Sequence, residues 1–325
     1  MAGGDAEQEG DAGAEGDSGA VAPPGGPGSP GGVVACTLVE LGEKGLLRPG
    51  GRWRAMRGAV RHGLAQARAI RSRQLAFLGW ALFSAALCVW VLVILRRHVA
   101  AGVWAAETAV AGAWFLGTIA TGYLHLALVR REDGTPWRSF LVPNGITMSR
   151  LALAPLVAFA SVHAVVLRPD ADLILWPLVY VVASDALDGQ IARFFGLRSE
   201  WGRLADPFSD ILLATWFAPG LWAGGFLASW VGFLIVFRYA GTLLAVFTLW
   251  GRGKPLEIVP TWPGRAANVG VDVLLPVLLG AAIRWPHWLG TAWLVWMERI
   301  VAGLVVINVV YLMWRLVRAW TARTR

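Results

Sequence analysis

Four aspartates lie close together in a chain that is otherwise rich in apolar residues. Asp185 and Asp188 are three residues apart, and Asp206 and Asp210 are four residues apart. On an α-helix, either spacing places both carboxylates on one face. Because only a short loop separates the two segments, we expect their helices to be antiparallel neighbours. The spacing therefore predicts one site at which four carboxylates converge.

Carboxylates in such a group repel one another and raise one another's pKa unless cations balance their charge. Oxygen ligands without neighbouring His or Cys favour Mg²⁺ or Mn²⁺, and four carboxylates have room for two ions. A pair of such ions stabilises displacement at phosphorus. Gly189 and Ala192 leave space beside the acids, and Arg193 can bind a phosphate. The alternative is a solvated loop in which the acids pair with Arg193, Arg198 and Arg203; the spacing favours the metal site.

The elements that position these acids are membrane helices. Of the 325 residues, 56% are hydrophobic and 15% are charged, a balance typical of several membrane spans. Eight apolar stretches are long enough to be predicted as helices, near residues 75–95, 107–129, 146–167, 173–194, 203–222, 226–250, 269–283 and 300–320. Residues 288–296 are predicted to lie at the membrane interface. We predict an all-α polytopic membrane protein with two accessory helices in residues 75–130 and a six-helix core in residues 141–320.

The N-terminal region differs in composition from the rest. Residues 1–35 are rich in Gly, Pro and acid and predict a disordered tail, whereas residues 36–74 form a basic juxtamembrane segment, within which a short amphipathic helix is plausible. The net charge of +8 comes mostly from arginines that flank apolar runs, which favours membrane lipids over nucleic acid as partners. The distribution of arginines predicts cytoplasmic termini and a cytoplasmic active site, with Arg96 and Arg97 as exceptions.

Residues 185–210 carry the motif Asp-x2-Asp-Gly-x2-Ala-Arg-x8-Gly-x3-Asp-x3-Asp. It resembles the signature of the CDP-alcohol phosphatidyltransferase family, and all eight fixed positions match. The resemblance covers the six-helix core, about residues 141 to 320. It implies an integral enzyme, expected in a bacterial inner membrane, that transfers a phosphatidyl group from CDP-diacylglycerol to a small alcohol and releases CMP.

The resemblance also implies roles for individual residues. Asp185, Asp188 and Asp206 would be metal ligands, and Asp210 would be the general base and a further ligand. The residues expected to contact the CDP moiety are Gly189, Ala192, Arg193, Asn144 and Ser199. Two Mg²⁺ or Mn²⁺ ions are the expected cofactors, and the sequence leaves a homodimer open.

Residues 143–150 resemble the Pro-Asn-x-x-Thr-x-x-Arg opening of the same family. Asn144 or Thr147 could cap the first core helix, and Asn144 could instead contact the nucleotide or its phosphates. Arg150 is expected to reach the lipid headgroups.

Arg238 lies inside an apolar run, where an arginine is costly unless it faces protein or ligand. It either pairs with the aspartates or, the interpretation we favour, binds the phosphate of the acceptor together with Arg265. Two cations make glycerol 3-phosphate the first expected acceptor, with inositol phosphate or serine still open. Two other classes of membrane protein are the alternatives, a Mg²⁺-dependent intramembrane prenyltransferase and a cation transporter.

Overall fold

The fold is known from a computed structural model that describes residues 51–131, 133–251 and 262–321. Those residues form nine α-helices and no β-strand. The helices are α1 (Gly51–Arg68), α2 (Arg71–His98), α3 (Ala101–Leu124), α4 (Val142–Val162), α5 (Ala171–Phe194), α6 (Glu200–Ala223), α7 (Ser229–Gly251), α8 (Trp262–Ile283) and α9 (Ala292–Thr321). The predicted tail of residues 1–35 lies outside the described residues.

The all-α polytopic membrane architecture is confirmed, and α2 to α9 correspond to the eight predicted stretches. Within the described ranges, five helices are long and apolar enough to cross a bilayer, namely α2, α3, α4, α8 and α9. Helices α5 and α6 fall outside this group, and each of them carries two of the four aspartates. The 288–296 segment does not form a helix of its own, and its position at the membrane interface stays a prediction. The segment is divided between a 3-10 turn, Pro286–Trp288, and the first turn of α9.

Helix α4 lies at the centre of the molecule and is buried along most of its length. It contacts the accessory helices α2 and α3 and the core helices α5 and α6. Its closest neighbour is α6, because two glycines of α6 leave room for the α4 backbone. A Cβ at Gly220 would lie 2.6 Å from the Ala158 carbonyl oxygen, and one at Gly224 would lie 2.6 Å from the Ser161 carbonyl oxygen. Small residues four apart permit this close approach between membrane helices.

Replacing Gly220 by alanine is expected to destabilise the protein by about 1–3 kcal/mol, the usual cost of overpacking a core. The matched control is Gly112→Ala in α3, where an added Cβ would meet no atom within 4 Å. The control should be neutral or slightly stabilising, since alanine favours a helix by about 1 kcal/mol over glycine. Thermal unfolding midpoints in detergent measure both variants. Equal midpoints would show that the α4–α6 approach has no such constraint.

The turn between α2 and α3 carries the arginines that run against the predicted charge distribution. Arg97 Nη1 lies 3.5 Å from Asp170 Oδ2, and His98 Nε2 lies 2.9 Å from the same oxygen. The hydrogen bond with His98 lowers the pKa of the Asp170 carboxyl, which favours its charged form. Arg96 lies over the Trp104 ring. A local carboxylate therefore offsets part of the positive charge on this side.

The basic juxtamembrane segment contains a helix, α1, as the sequence suggested. The end of α1 packs on α3 and on the 3-10 turn Leu126–Leu128, and Ala67 is fully buried there. Arg73, at the start of α2, donates hydrogen bonds to the carbonyl oxygens of Leu126 and Trp137. These contacts attach the segment to the connector that precedes the six-helix core.

Candidate active site

The four aspartates come to one region, as their spacing predicted. Asp185, Asp188 and Asp210 lie around the guanidinium group of Arg150, and Asp206 joins them through the hydroxyl of Thr147. Helices α5 and α6 are joined by a short loop, and α4 brings Arg150 between them. Arg150 Nη1 donates a hydrogen bond to Asp185, and Arg150 Nη2 lies 3.1 Å from Asp210 Oδ1. Nη2 also lies 3.8 Å from Asp188 Oδ2 and donates to the Ser209 hydroxyl at 2.5 Å. One arginine therefore connects the acids of two helices.

Arg150 does not reach the lipid headgroups, which corrects the expectation from the sequence. Its side chain is 1% exposed, and a buried guanidinium requires carboxylates and hydrogen-bond acceptors around it. The exposed arginines of the α5–α6 region are not the partners of the acids in the described structure. Arg193 instead lies beside Gly189 on the surface of α5, where a Cβ at Gly189 would come within 3.2 Å of Arg193 Nη1.

Thr147 connects the aspartates of α5 with those of α6. Its hydroxyl lies 2.7 Å from Asp188 Oδ2 and 3.2 Å from Asp206 Oδ1, so it can donate to either carboxylate. Thr147 is not a helix cap, because α4 begins at Val142 and Thr147 lies in its second turn. The Asp188 side chain is 5% exposed, whereas that of Asp185 is 53% exposed. The acids therefore range from a buried carboxylate to one that is open to the surface.

Asn144 and Ser199 meet at the N-terminus of α6. Ser199 caps α6 by accepting a hydrogen bond from the Gly202 N–H at 3.1 Å, and its hydroxyl donates to Asn144 Oδ1 at 2.9 Å. Asn144 lies inside α4 and does not cap it. Its Nδ2 is buried and has no hydrogen-bond partner among the described residues. This donor favours the interpretation in which Asn144 contacts a ligand.

A fifth carboxylate, Asp272 of α8, belongs to the same region and was missed from the sequence. It lines a small cleft with Arg150, Asp185 and Asp210, and the remaining walls come from apolar residues of α5, α6 and α8. A signal was present, because Arg265, Asn268 and Asp272 follow one another at spacings of three and four. That pattern places three polar side chains on one face of an otherwise apolar helix.

Arg238 of α7 is held by amides rather than by the aspartates. Its Nε donates to Asn308 Oδ1 at 2.8 Å, and its Nη2 donates to Asn268 Oδ1. Its side chain is buried against the Tyr239 ring, at 4.6 Å from the ring centroid. Nη1 is buried and has no hydrogen-bond partner in the described part of the chain. The amides are neutral, and the carboxylate of Asp272 lies near enough to offset part of the charge of Arg238. Arg265, in contrast, is exposed.

The donors of the site fit hard divalent cations by their chemistry. Five carboxylates, those of Asp185, Asp188, Asp206, Asp210 and Asp272, lie near two buried guanidinium groups, those of Arg150 and Arg238. The acids therefore exceed the buried cations, and their oxygens are the ligands that Mg²⁺ and Mn²⁺ prefer. Among the described residues, no three acidic, His or Cys side chains are grouped closely enough to bind one metal ion. In this structure the guanidinium group of Arg150 lies between the aspartates and pairs with them.

Residues 140–314 match the family model described as CDP-alcohol phosphatidyltransferase. The chain belongs to this family. As a CDP-alcohol phosphatidyltransferase it is an enzyme of phospholipid synthesis, with α4 to α9 forming the family domain and α1 to α3 lying before it.

Relatives of this phosphatidyltransferase include proteins of Streptomyces and Mycobacterium. A cardiolipin synthase (CMP-forming) of Streptomyces coelicolor is 32% identical over 145 residues, which are 44% of this chain and 66% of that protein. A putative cardiolipin synthase of Mycobacterium tuberculosis is 34% identical over 168 residues, 49% of this chain and 76% of that protein. A probable phosphatidylglycerophosphate synthase of M. tuberculosis is 28% identical over 139 residues, 40% and 65% respectively. The matched region thus spans just under two thirds of the Streptomyces protein. No solved structure matches the chain.

Proposed function

We propose that the enzyme transfers the phosphatidyl group of CDP-diacylglycerol to the free glycerol hydroxyl of phosphatidylglycerol, forming cardiolipin and CMP. The observation that carries this proposal is the cleft beside Asp210. Its polar end is formed by Arg150 and three carboxylates, and its other walls are apolar. A hydroxyl that belongs to a lipid can therefore reach Asp210 while its chains remain in apolar surroundings.

The acidic site supplies the proton acceptor for this transfer. Asp210 faces the cleft and is held at 3.1 Å from Arg150 Nη2, which fixes the orientation of its carboxylate. The acceptor hydroxyl gives its proton to Asp210, and its oxygen forms a bond to the phosphorus that carries diacylglycerol. The bond from that phosphorus to the oxygen of CMP breaks, and CMP leaves with its electron pair. Asn144, Ser199, Gly189, Ala192 and Arg193 are the proposed contacts of the CDP moiety.

Mg²⁺ or Mn²⁺ is part of the proposal because the site has more carboxylates than buried guanidinium groups. Asp185, Asp188 and Asp206, with Asp210, would hold the ions, in agreement with the oxygen ligands that both metals prefer. When bound, the ions neutralise the charge of the pyrophosphate and of the departing CMP. Thr147, which lies within hydrogen-bond distance of Asp188 and Asp206, keeps these two carboxylates next to each other.

The charges near Arg238 favour a phosphodiester acceptor. The unpartnered Nη1 of Arg238 can donate to a phosphate, but the neighbouring Asp272 carboxylate opposes a second negative charge. Phosphatidylglycerol carries one negative charge on its phosphate, whereas the phosphate of glycerol 3-phosphate carries nearly two. The names of the Streptomyces and Mycobacterium cardiolipin synthases support the same acceptor. Glycerol 3-phosphate is the second candidate, because another relative is named phosphatidylglycerophosphate synthase.

The exposed arginines near the acidic site support a proposal for the cellular location of the reaction. We propose that the enzyme lies in a bacterial inner membrane with its acidic site on the cytoplasmic side. The exposed arginines Arg193, Arg198 and Arg203 surround the α5–α6 loop at this end of the molecule, as the positive-inside rule requires of a cytoplasmic loop. A homodimer stays a prediction.

An acceptor panel tests the proposed function. Purified enzyme in lipid nanodiscs is given CDP-diacylglycerol, Mg²⁺ or Mn²⁺ and one acceptor at a time: phosphatidylglycerol, glycerol 3-phosphate, inositol phosphate or serine. We expect CMP and cardiolipin only with phosphatidylglycerol and added metal, and loss of both products with a chelator. Turnover with glycerol 3-phosphate alone would establish the second candidate. Turnover with serine or inositol phosphate would contradict both, and no CMP from any acceptor would contradict the proposed transfer.

Paired arginine variants locate the acceptor phosphate in the same assay. Arg238→Gln should raise the KM for phosphatidylglycerol about tenfold or more, because it removes a buried charged donor. Arg265→Gln should change this KM much less, since Arg265 is exposed. Equal effects of the two variants on this KM would contradict the proposal that Arg238 binds the acceptor phosphate.

A further inference from the structure

A large apolar groove runs along the accessory helix α3 where this helix faces α4 and α6. Its volume is about 470 Å³, and its walls include Trp114 and Gly117 of α3, Met148 and Leu151 of α4, and Leu204 and Phe208 of α6. The few polar groups in its lining belong to threonines and to His125. The Trp114 indole N–H already donates to the Leu151 carbonyl at 2.8 Å, so this ring contributes an apolar wall. The chemistry of the groove fits a hydrocarbon chain.

The groove exists because one face of α3 carries only small side chains. Gly117, Thr118, Thr121 and Gly122 all line it, and they follow one another at helical spacing. A Cβ at Gly117 would meet no atom within 4 Å, so this position opens directly into the groove. Residues of α3 lie before the family domain, which begins at residue 140. One wall of the groove is therefore an addition of this chain to the six-helix core.

One end of the groove reaches the acidic site. Thr147 lines the groove, and its hydroxyl lies 2.7 Å from Asp188 Oδ2. Trp201 lines it as well, two residues beyond Ser199, which hydrogen-bonds Asn144. The groove thus begins at the residues proposed to contact the CDP moiety. The acceptor cleft with Asp210 and Asp272 has different walls, which come from α5, α6 and α8.

We propose that this groove holds one acyl chain of the CDP-diacylglycerol donor during the reaction. The inference rests on the proposed function, because it takes the donor to be a CDP-linked lipid. A chain in the groove gains little free energy over a chain in the bilayer, since lipid is as apolar as the groove wall. The groove acts by orientation: it fixes the direction in which the donor leaves the site and keeps its chain away from the acceptor cleft.

Two glycine variants with opposite positions on α3 test the groove. Gly117→Phe places a ring in the groove, whereas the control Gly112→Phe places one on the exposed face of α3, where no atom lies within 4 Å of an added Cβ. With a dioleoyl donor, Gly117→Phe should lower kcat/KM at least tenfold. With a dihexanoyl donor, whose chains are too short to extend far along the groove, the change should stay within about twofold. Gly112→Phe should leave both values unchanged. Equal losses with both donors, or no loss with either, would overturn the proposal.

A labelling experiment separates this proposal from the proposed function, because it does not require turnover. A CDP-diacylglycerol with a diazirine in one acyl chain is bound to the wild-type enzyme, irradiated and mapped by mass spectrometry. We expect labels on α3 between residues 113 and 122, with unlabelled CDP-diacylglycerol competing and phosphatidylglycerol not competing. Labels elsewhere, or competition by phosphatidylglycerol, would overturn the assignment of the groove to the donor. Labels between residues 113 and 122 in an enzyme that releases no CMP would support the proposal for the groove and contradict the proposed function.

Discussion

Replacing Arg150 by methionine is expected to abolish CMP release and to lower stability by about 3–5 kcal/mol, the cost of breaking a buried ion pair from one side. Arg150 is 1% exposed and contacts Asp185, Asp188 and Asp210 as well as the Ser209 hydroxyl. Without it, these carboxylates repel one another, and α4 keeps only its other polar contacts with α5 and α6, such as those of Thr147. Thermal unfolding in detergent and the CMP assay measure the two effects.

A second substitution separates charge from geometry at this position. Arg150→Lys retains the positive charge but loses the planar fork that reaches two helices at once. We expect it to fold and to retain at most about 1% of the CMP release, since misplacement of reacting groups by about 1 Å can cost 10²-fold. The control is Arg203→Met, which removes an exposed arginine near the start of α6 and should change neither readout. Normal turnover in Arg150→Lys would show that only charge matters there.

Exchanging Asp210 for asparagine is expected to lower CMP release by about 10²- to 10⁴-fold, the range in which a general base contributes. Asparagine has nearly the same shape, so the protein should remain folded and should still be labelled by the photoreactive donor. The position of Asp210 in the cleft, 3.1 Å from Arg150, is the reason for expecting a loss in turnover rather than in donor binding.

Two further aspartates serve as references for Asp210→Asn. Asp172 lies at the start of α5, is 86% exposed and contacts Arg284 at 3.6 Å, so Asp172→Asn should be neutral. Asp272 lines the same cleft as Asp210, so Asp272→Asn should change the KM for the acceptor more than it lowers kcat. It should also admit glycerol 3-phosphate more readily, because it removes the carboxylate that opposes a second negative charge. The base would have to be reassigned to Asp272 if Asp272→Asn lost turnover while Asp210→Asn retained it.

The part of the site that depends on helical periodicity could be predicted from the sequence. The spacings of Asp185 with Asp188 and of Asp206 with Asp210 determine the shared faces. The expectation that α5 and α6 pack directly on each other is wrong, because α4 packs against both of them. Asn144 and Ser199 were singled out for the CDP moiety, and the structure brings them within 2.9 Å of each other. The eight long helices followed in the same way from the lengths of the apolar stretches.

The part that depends on packing between distant segments could not be predicted in this way. Arg150 precedes Asp185 by 35 residues and Asp210 by about 60, and its own sequence context is equally typical of an arginine that reaches the headgroups. The spacing of Arg265, Asn268 and Asp272 indicates a polar face on α8, but the partners of Asp272 become visible only once α8 lies beside α6. The groove along α3 had no sequence signal, because small residues on a membrane helix are equally consistent with close helix packing.

The ion pairs of Arg150 have a consequence for the order in which the chain can be assembled in a membrane. Helix α4 is synthesised before α5 and α6, so its arginine emerges while every carboxylate that will neutralise it is still untranslated. An arginine in an isolated membrane helix costs about 3 kcal/mol or more near the bilayer centre. Helix α4 is therefore a poor candidate for independent insertion. It should remain in contact with the insertion machinery until α6 has been made, and the three helices should then enter the lipid as one unit.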